Sequence, residues 1–361
     1  MRAVALIDGE HYAPVVRDAL RQLPYEWVGA ILVGGTEKLR DGADYGVPLV
    51  EGFDGAEIVV DLSDEPVLGP VARLEWASRA LAAGLPYVGA DFRFEPPELA
   101  PFELPSISVI GTGKRVGKTA VTTHLARLLA RDHDVVVVAM GRGGPEEPEV
   151  VETPPSVDDL IARSRAGRHA ASDHLEIAAL AGVPTIGCRR AGGGLAGGVF
   201  VSNVAEGARL AAERVPDVVI FDGSGASIPP VATTQRILVT GSAERDPYLD
   251  TYRRLISDVV VQAPQLRLEP SEPLEGRVAV FTAGATDVAH LEADVVHVST
   301  NLADRRALRA DLVEADTYLV ELKAAAIDVV AEHALTHGIH VVLARNELVG
   351  VDLPSFLPVS A

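Results

Sequence analysis

The chain has 361 residues, 48% hydrophobic and 23% charged, which excludes a disordered or collagen-like polymer and leaves room for two or three domains. Its 51 acidic residues outweigh 32 basic ones for a formal charge of −19, a field that repels nucleic acid and anionic membrane. An anionic ligand therefore needs a local cluster of cations. The single cysteine, Cys188, allows no intrachain disulfide and fits a cytosolic (cytoplasmic) setting. No apolar run approaches the roughly 18 residues of a membrane span, and the opening MRAVALIDGEHY reads as a buried strand.

In chain order, Arg2–Ile7, Trp27–Val33, Glu57–Leu62 and Leu85–Val88 are short apolar runs, while Pro14–Leu23 and Val71–Ala83 have helical spacing. This alternation predicts a small helix-covered parallel sheet, an N-terminal α/β domain over residues 1–100. Its first strand ends in DGEHY, Asp8 to Tyr12, which reads equally as a ligand loop or a solvent-facing turn. FEPPELAPFELPS, residues 94–106, carries four prolines and reads as an extended linker.

A second series, 106–265, has strand candidates Ile107–Ile110, Val135–Ala139, Thr185–Cys188, Val218–Phe221 and Ile237–Thr240. Its helix candidates are Gly117–Arg131, Ser156–Arg165, Ser172–Ala181 and Val204–Arg214. Residues 263–276 are proline-rich and polar and read as a second connector. The last stretch, 275–361, has strands at Val278–Phe281, Val295–Val298, Tyr318–Leu322 and His340–Leu343. It reads as a C-terminal α/β lobe, either separate or continuous with the preceding sheet.

The chemistry is carried by SISVIGTGKRVGKTAVTTHLARLLA, which runs strand, glycine loop, helix. Gly111, Gly113 and Gly117 allow backbone N–H groups to turn inward around phosphate oxygens. Lys118 is placed for the β- and γ-phosphates of ATP, the Thr119 hydroxyl for Mg²⁺, and the helix start for the anion. The nucleotide-binding run is Gly111, Thr112, Gly113, Lys114, Arg115, Val116, Gly117, Lys118, Thr119 and Ala120. Lysine is otherwise scarce: Lys38, Lys114, Lys118 and Lys323 are the only four among the 32 basic residues. In such a background a retained lysine points to a need for its compact ammonium. PDVVIFDGSGAS then supplies Asp222 at a strand end, the place of a carboxylate that organises Mg²⁺. The fold class is therefore α/β, a P-loop NTPase-type parallel sheet flanked by helices, with a smaller N-terminal α/β domain and a C-terminal α/β extension.

Other stretches supply charge. In AMGRGGPEEPEVVE, Arg142 between glycines suits a phosphate. Glu146, Glu147 and Glu149 form either a solvated acidic loop or a source of a further metal ligand, with Glu147 the candidate. In AGRHAASDHLEIA, Arg168 and His169 precede a helix start where an anion can dock, and Ser172 or Asp173 is read as the helix cap. In GCRRAGGGLAGG, Arg189 and Arg190 beside three glycines suit phosphate oxygens. Lys323 at a strand end suits a substrate phosphate, with Asn301, Arg305 and Arg306 near it in sequence.

The loop spacing resembles that of dethiobiotin synthetase, GTxxxVGKT, within the class that includes partition and septum-site ATPases. The signature lysine of those ATPases falls here on Gly113, with Lys114 one position off. Taken in order, ALIDGEHY, IGTGKRVGKTA, MGRGGPEEPE, GRHAASD, GCRRAGGGLAGG, DGSGASIPPV and ELKAAAID resemble the cyclic 2,3-diphosphoglycerate synthetase family over nearly the whole chain. That resemblance implies an ATP-dependent ligase closing 2,3-bisphosphoglycerate into an intramolecular diphosphate, with release of ADP and phosphate. Lys118, Lys114, Asp222, Arg189, Arg190 and Lys323 are then the expected catalytic set. Arg142, Arg168, His169, Arg189, Arg190 and Lys323 are the expected substrate contacts, and Thr119, Asp222 and Glu147 the expected metal ligands. The partner is a small anionic phosphorylated substrate, not nucleic acid or membrane, and the expected assembly is a homodimer. Two alternatives stay open at this point: a nucleotide-switched, partner-binding ATPase, and a dethiobiotin-synthetase-like ligase with another acceptor.

Overall fold

Short β-branched runs bounded by glycine and proline become strands, and the longer runs with helical spacing become the helices between them. The computed structural model describes residues 1–350 apart from 41, 242–244 and 324; residues 351–361 of the expected C-terminal lobe lie outside the described residues.

The N-terminal unit holds β1 (Arg2–Ile7), α1 (Ala13–Gln22), β2 (Glu26–Leu32), β3 (Ile58–Asp61), α2 (Pro70–Ala82), β4 (Tyr87–Val88) and β5 (Arg93–Phe94). Its sheet runs β2-β1-β3-β4-β5, parallel except for the last pair. The DGEHY turn is tied down from within. Buried Asp8 accepts the N–H groups of Glu10, His11 and Asp64 and pairs with the His11 ring.

The larger unit contains two sheets. The first uses β6 (Ser106–Gly111), α3 (Lys118–Leu129), β7 (Val135–Gly141), β8 (Glu149–Val151), α4 (Val157–Arg165), α5 (Asp173–Ala181) and β9 (Thr185–Ala191). It continues with β10 (Val201–Ser202), α6 (Val204–Ala212), β11 (Val218–Asp222) and β12 (Gln235–Thr240). After α7 (Pro247–Leu255), which belongs to the N-terminal unit beside α2, comes the edge strand β13 (Val259–Gln262). The order is β10-β9-β7-β11-β6-β12-β13, with β8 antiparallel to β9. β6, β7 and β11 are buried along their whole length, as central parallel strands with helices on both faces must be.

The second sheet uses β14 (Gln265–Pro270), β15 (Arg277–Phe281), β16 (Asp294–Ser299), α8 (Arg305–Ala310) and β17 (Thr317–Glu321), then a π-helical turn Ala326–Ala331, α9 (Glu332–His337) and β18 (His340–Val349). Its order is β14-β18-β17-β15-β16, parallel except for β14. Part of the stretch read as a polar connector is thus an edge strand: β14 turns Leu268 inward and ends on Pro270, which an edge tolerates. Leu160, Leu175, Phe281, Tyr318 and Val330 fall in one hydrophobic cluster, so α4, α5 and this sheet share a core.

Candidate active site

The P-loop grows out of a buried strand held on both sides. β6 lies between β11 and β12, and its Ser106 and Ser108 hydroxyls are bonded to Thr234 and Thr233. The loop returns through two left-handed residues, Arg115 (φ 60°) and Gly117 (φ 99°). At Gly117 a Cβ would come within 2.7 Å of the Pro264 ring, so glycine is required twice over, by backbone and by space. Gly113 has no left-handed φ; that conformation falls on Arg115 instead. Gly117 also caps α3 without a side chain, which leaves the first turn open. No backbone N–H from Gly113 to Ala120 finds a partner among the described residues. A row of oriented donors at a helix start is an anion cradle.

Lys118 is 8% exposed, and its ammonium donates to the Gly113 carbonyl at 2.7 Å. Burial pulls its pKa down, opposed by the Asp222 and Asp173 carboxylates. Asp222 ends β11 in register with Val109 of β6 and Ala139 of β7, which places its carboxylate beside the loop. It is fully buried and accepts the Thr122 hydroxyl at 2.6 Å through Oδ1; its Oδ2 has no partner among the described residues. Burial, reinforced by Asp173, lifts its pKa to about 7.

A cavity of about 640 Å³ opens over this loop, and both sheets of the larger unit wall it. Lys114, Arg115, Lys118, Arg142, Lys323 and Arg345 line it with His169, against the carboxylates Asp173, Glu176, Asp287 and Glu321. Arg142 and Lys323, remote from the P-loop in sequence, are therefore brought to it. The Lys323 ammonium is held by both oxygens of buried Glu176 on α5. Burial lifts the Glu176 carboxyl to about 7 in spite of that contact. For Lys323 burial, the largest single influence, works the other way, but Glu176, Asp173 and Glu321 together outweigh it and raise the pKa of the ammonium.

The arginine pair departs from expectation. Arg189 and Arg190 lie on β9, which runs three residues further than predicted, rather than in a glycine loop. Successive strand residues point to opposite faces, so the two guanidinium groups do not act as one fork. Neither lines the cavity. Arg190 reaches the Ser224 and Gly192 carbonyls, and its Nη2 lies with that of Arg142 around Gly225, where a Cβ would come within 2.7 Å of Arg142. The Arg189 backbone N–H is bonded to Asn203. Arg168 and Glu147 are exposed and are not brought to the cavity either.

Asp173 corrects another expectation. Ser172 occupies the cap position, but its hydroxyl bonds the His174 ring and caps nothing, and Asp173 faces the cavity. Arg305 pairs with Asp328 and Asn301 with Asp311, both away from the cavity lining. Sequence reasoning missed Glu176, Glu321, Arg345 and the Thr282–Asp287 loop. Only the strand-end position of Glu321 and the small-residue run TAGATD offered a signal.

Strand, glycine loop, uncapped helix and a buried carboxylate at the neighbouring strand end define a P-loop nucleotide-binding α/β protein. Family comparison goes further. Residues 106–266 match the cyclic 2,3-diphosphoglycerate synthetase P-loop domain, 278–347 its C-terminal domain, and 2–55 with 51–95 its N-terminal domain. A cyclic 2,3-diphosphoglycerate synthetase of Rubrobacter xylanophilus is 54% identical over 77% of this chain and 68% of its own. One from Pyrococcus abyssi is 38% identical over 97% of this chain and 95% of its own. Among solved structures, the "apo" form of LpxK from Aquifex aeolicus in complex with ATP is 16% identical, with a TM-score of 0.43 over 70% of this chain and 86% of that one. The chain belongs to the cyclic 2,3-diphosphoglycerate synthetase family and is an ATP-using ligase of that kind. This membership selects the ligase over the nucleotide switch. Among the described residues no helix is long and apolar enough to cross a membrane.

Proposed function

We propose that this enzyme cyclises 2,3-bisphosphoglycerate at the expense of ATP, releasing ADP and phosphate. The observation that carries the reading is the single cavity in which the P-loop cations meet Arg142, Lys323 and Arg345 from elsewhere in the chain. ATP phosphates take the open N–H groups of Gly113 to Ala120, with Lys118 exchanging the Gly113 carbonyl for the β- and γ-oxygens. Lys114 and Arg115 at the cavity wall add charge. Arg142, backed by Arg190, and Lys323 receive the acceptor, with His169 against Gly143.

Magnesium fits the residues present. Asp222 offers a second carboxylate oxygen with no partner among the described residues, near the helix that bears Thr119, and among the described residues no group of three ligating side chains could hold a metal unaided. That is the pattern of an ion carried largely by nucleotide phosphates. Once bound through Thr119 and Asp222, it would neutralise charge on the β- and γ-oxygens.

The reaction then needs no protein nucleophile. An oxyanion of one acceptor phosphate attacks the γ-phosphorus, the bond to the β–γ bridging oxygen breaks, and ADP leaves. An oxyanion of the second acceptor phosphate attacks the first acceptor phosphorus, expels the transferred group as inorganic phosphate and closes the P–O–P ring. The protein positions both ends and neutralises charge. The assembly is proposed to be a homodimer.

Phosphorus NMR tests the reading. ATP and 2,3-bisphosphoglycerate should give ADP, inorganic phosphate and a cyclic diphosphate. Lys118→Ala should remove all three while its melting temperature stays level or rises, since the substitution deletes a charge that is costly to bury. Turnover by the folded variant near the unsubstituted rate would refute the assignment.

A further inference from the structure

The second sheet of the larger unit has its own ligand-binding topology. Its parallel strands run β16-β15-β17-β18, so connections leave β15 and β17 in opposite directions and open a crevice at their carboxyl ends. The chain leaves β15 through Thr282–Asp287 and β17 through Glu321–Lys323, and both exits line the cavity that the P-loop lines. We propose that the Thr282–Asp287 loop is the subsite for one phosphate of the acceptor, closed on its other side by Lys323. The proposal rests on the functional reading above.

Three observations carry it. First, the backbone N–H groups of Gly284, Ala285 and Thr286 have no partner among the described residues, so the loop presents consecutive donors. Second, the loop is braced from behind. Thr282 N–H donates to the Ser299 carbonyl, the Thr282 hydroxyl to the Gly284 carbonyl, and Ala283 N–H to Glu321 Oε2, whose other oxygen accepts Asn346. Glu321 is thus the positioning residue that fixes the donors beside Lys323. Third, Gly284 has no left-handed φ, and a Cβ there would meet nothing within 4 Å. The protein itself gives no steric reason for glycine at this cavity-lining position. Close approach of a ligand to the backbone does. The Asp287 carboxylate, which would oppose an anion, accepts the Ala289 N–H of its own turn.

The test is Gly284→Val, with Gly284→Ala as the smaller step. An added Cβ at position 284 meets nothing within 4 Å, and the valine methyl groups add bulk at this cavity-lining position. The KM for 2,3-bisphosphoglycerate should rise about tenfold or more with valine and less with alanine. The Kd for ADP, titrated by calorimetry, should stay within about twofold, with an unchanged melting temperature. An unchanged acceptor KM, or an equal loss of ADP affinity, overturns the subsite. If the valine variant does not fold, the alanine variant is judged by the same two constants. A wild-type enzyme that neither binds nor cyclises 2,3-bisphosphoglycerate overturns the functional reading, and the subsite with it; wild-type cyclisation with unaffected variants overturns the subsite alone.

Discussion

At the scale of single residues, Asp222 combines a strand-end position legible in the sequence with an energetic state that is not. Burial lifts its pKa from an ordinary 3.8 to about 7. Across that interval the unfolded chain has given up the proton and the folded one keeps it, so folding stability falls as pH rises. Asp222→Asn removes this cost and retains an acceptor for Thr122. In metal-free buffer its stability should match the parent near pH 4 and exceed it by about 2–4 kcal/mol near pH 8. Melting curves across that range check it, and parallel curves for the two proteins would sink it. Lys118 shows the same division. Its place in GKT was readable, but its hydrogen bond to Gly113 depends on the loop's actual path.

At the scale of elements, α3 and β18 are joined by one carboxylate. Glu347 on β18 pairs with His124 and Arg127 on α3 and with its own neighbour Arg345. These contacts, the His124 bond foremost, outweigh burial and hold its pKa down from an ordinary 4.5 to about 2. A depressed pKa contributes stability above the unfolded value and loses it as pH falls through the folded one. Glu347→Gln should therefore destabilise the protein by about 1–3 kcal/mol at neutral pH, the difference shrinking to nothing near pH 2. Acid-dependent unfolding of both proteins measures this, and a pH-independent gap would count against it. Periodicity located α3 and the start of β18 but not their link, because a pair so far apart leaves no local pattern. Sequence spacing misplaces the end of β9 for a related reason. Pairing of Arg190 with Ser202 and Ala191 with Val201 extends the strand past its apolar run, and that pairing is tertiary.

At the scale of the whole molecule, the proposed reaction asks an acidic chain of −19 to gather two polyanions at one place. ATP carries roughly −4 and bisphosphoglycerate roughly −4 to −5. The six lysine and arginine side chains of the cavity also face four carboxylates, so they cannot balance both substrates. The proposed divalent ion would supply part of the missing positive charge. Excess chelator should abolish ADP release, and Mg²⁺ or Mn²⁺ should restore it; full turnover in chelator would exclude the metal from the reaction.

The sequence by itself determined the α/β alternation, the P-loop, the strand-end Asp222 and, through its ordered motifs, the family. These are local signals, carried by residue spacing along one segment. The tertiary structure alone decided which charges share a cavity. It brought in Arg142 and Lys323, kept Arg168, Arg189 and Glu147 out of the lining, and added Asp173, Glu176, Glu321, Arg345 and the Thr282–Asp287 loop. The physical reason is that a site at the carboxyl ends of two sheets is assembled from strand ends far apart in the chain. Which side chains meet there depends on strand order and side-chain alternation, and neither is written in any single stretch of residues.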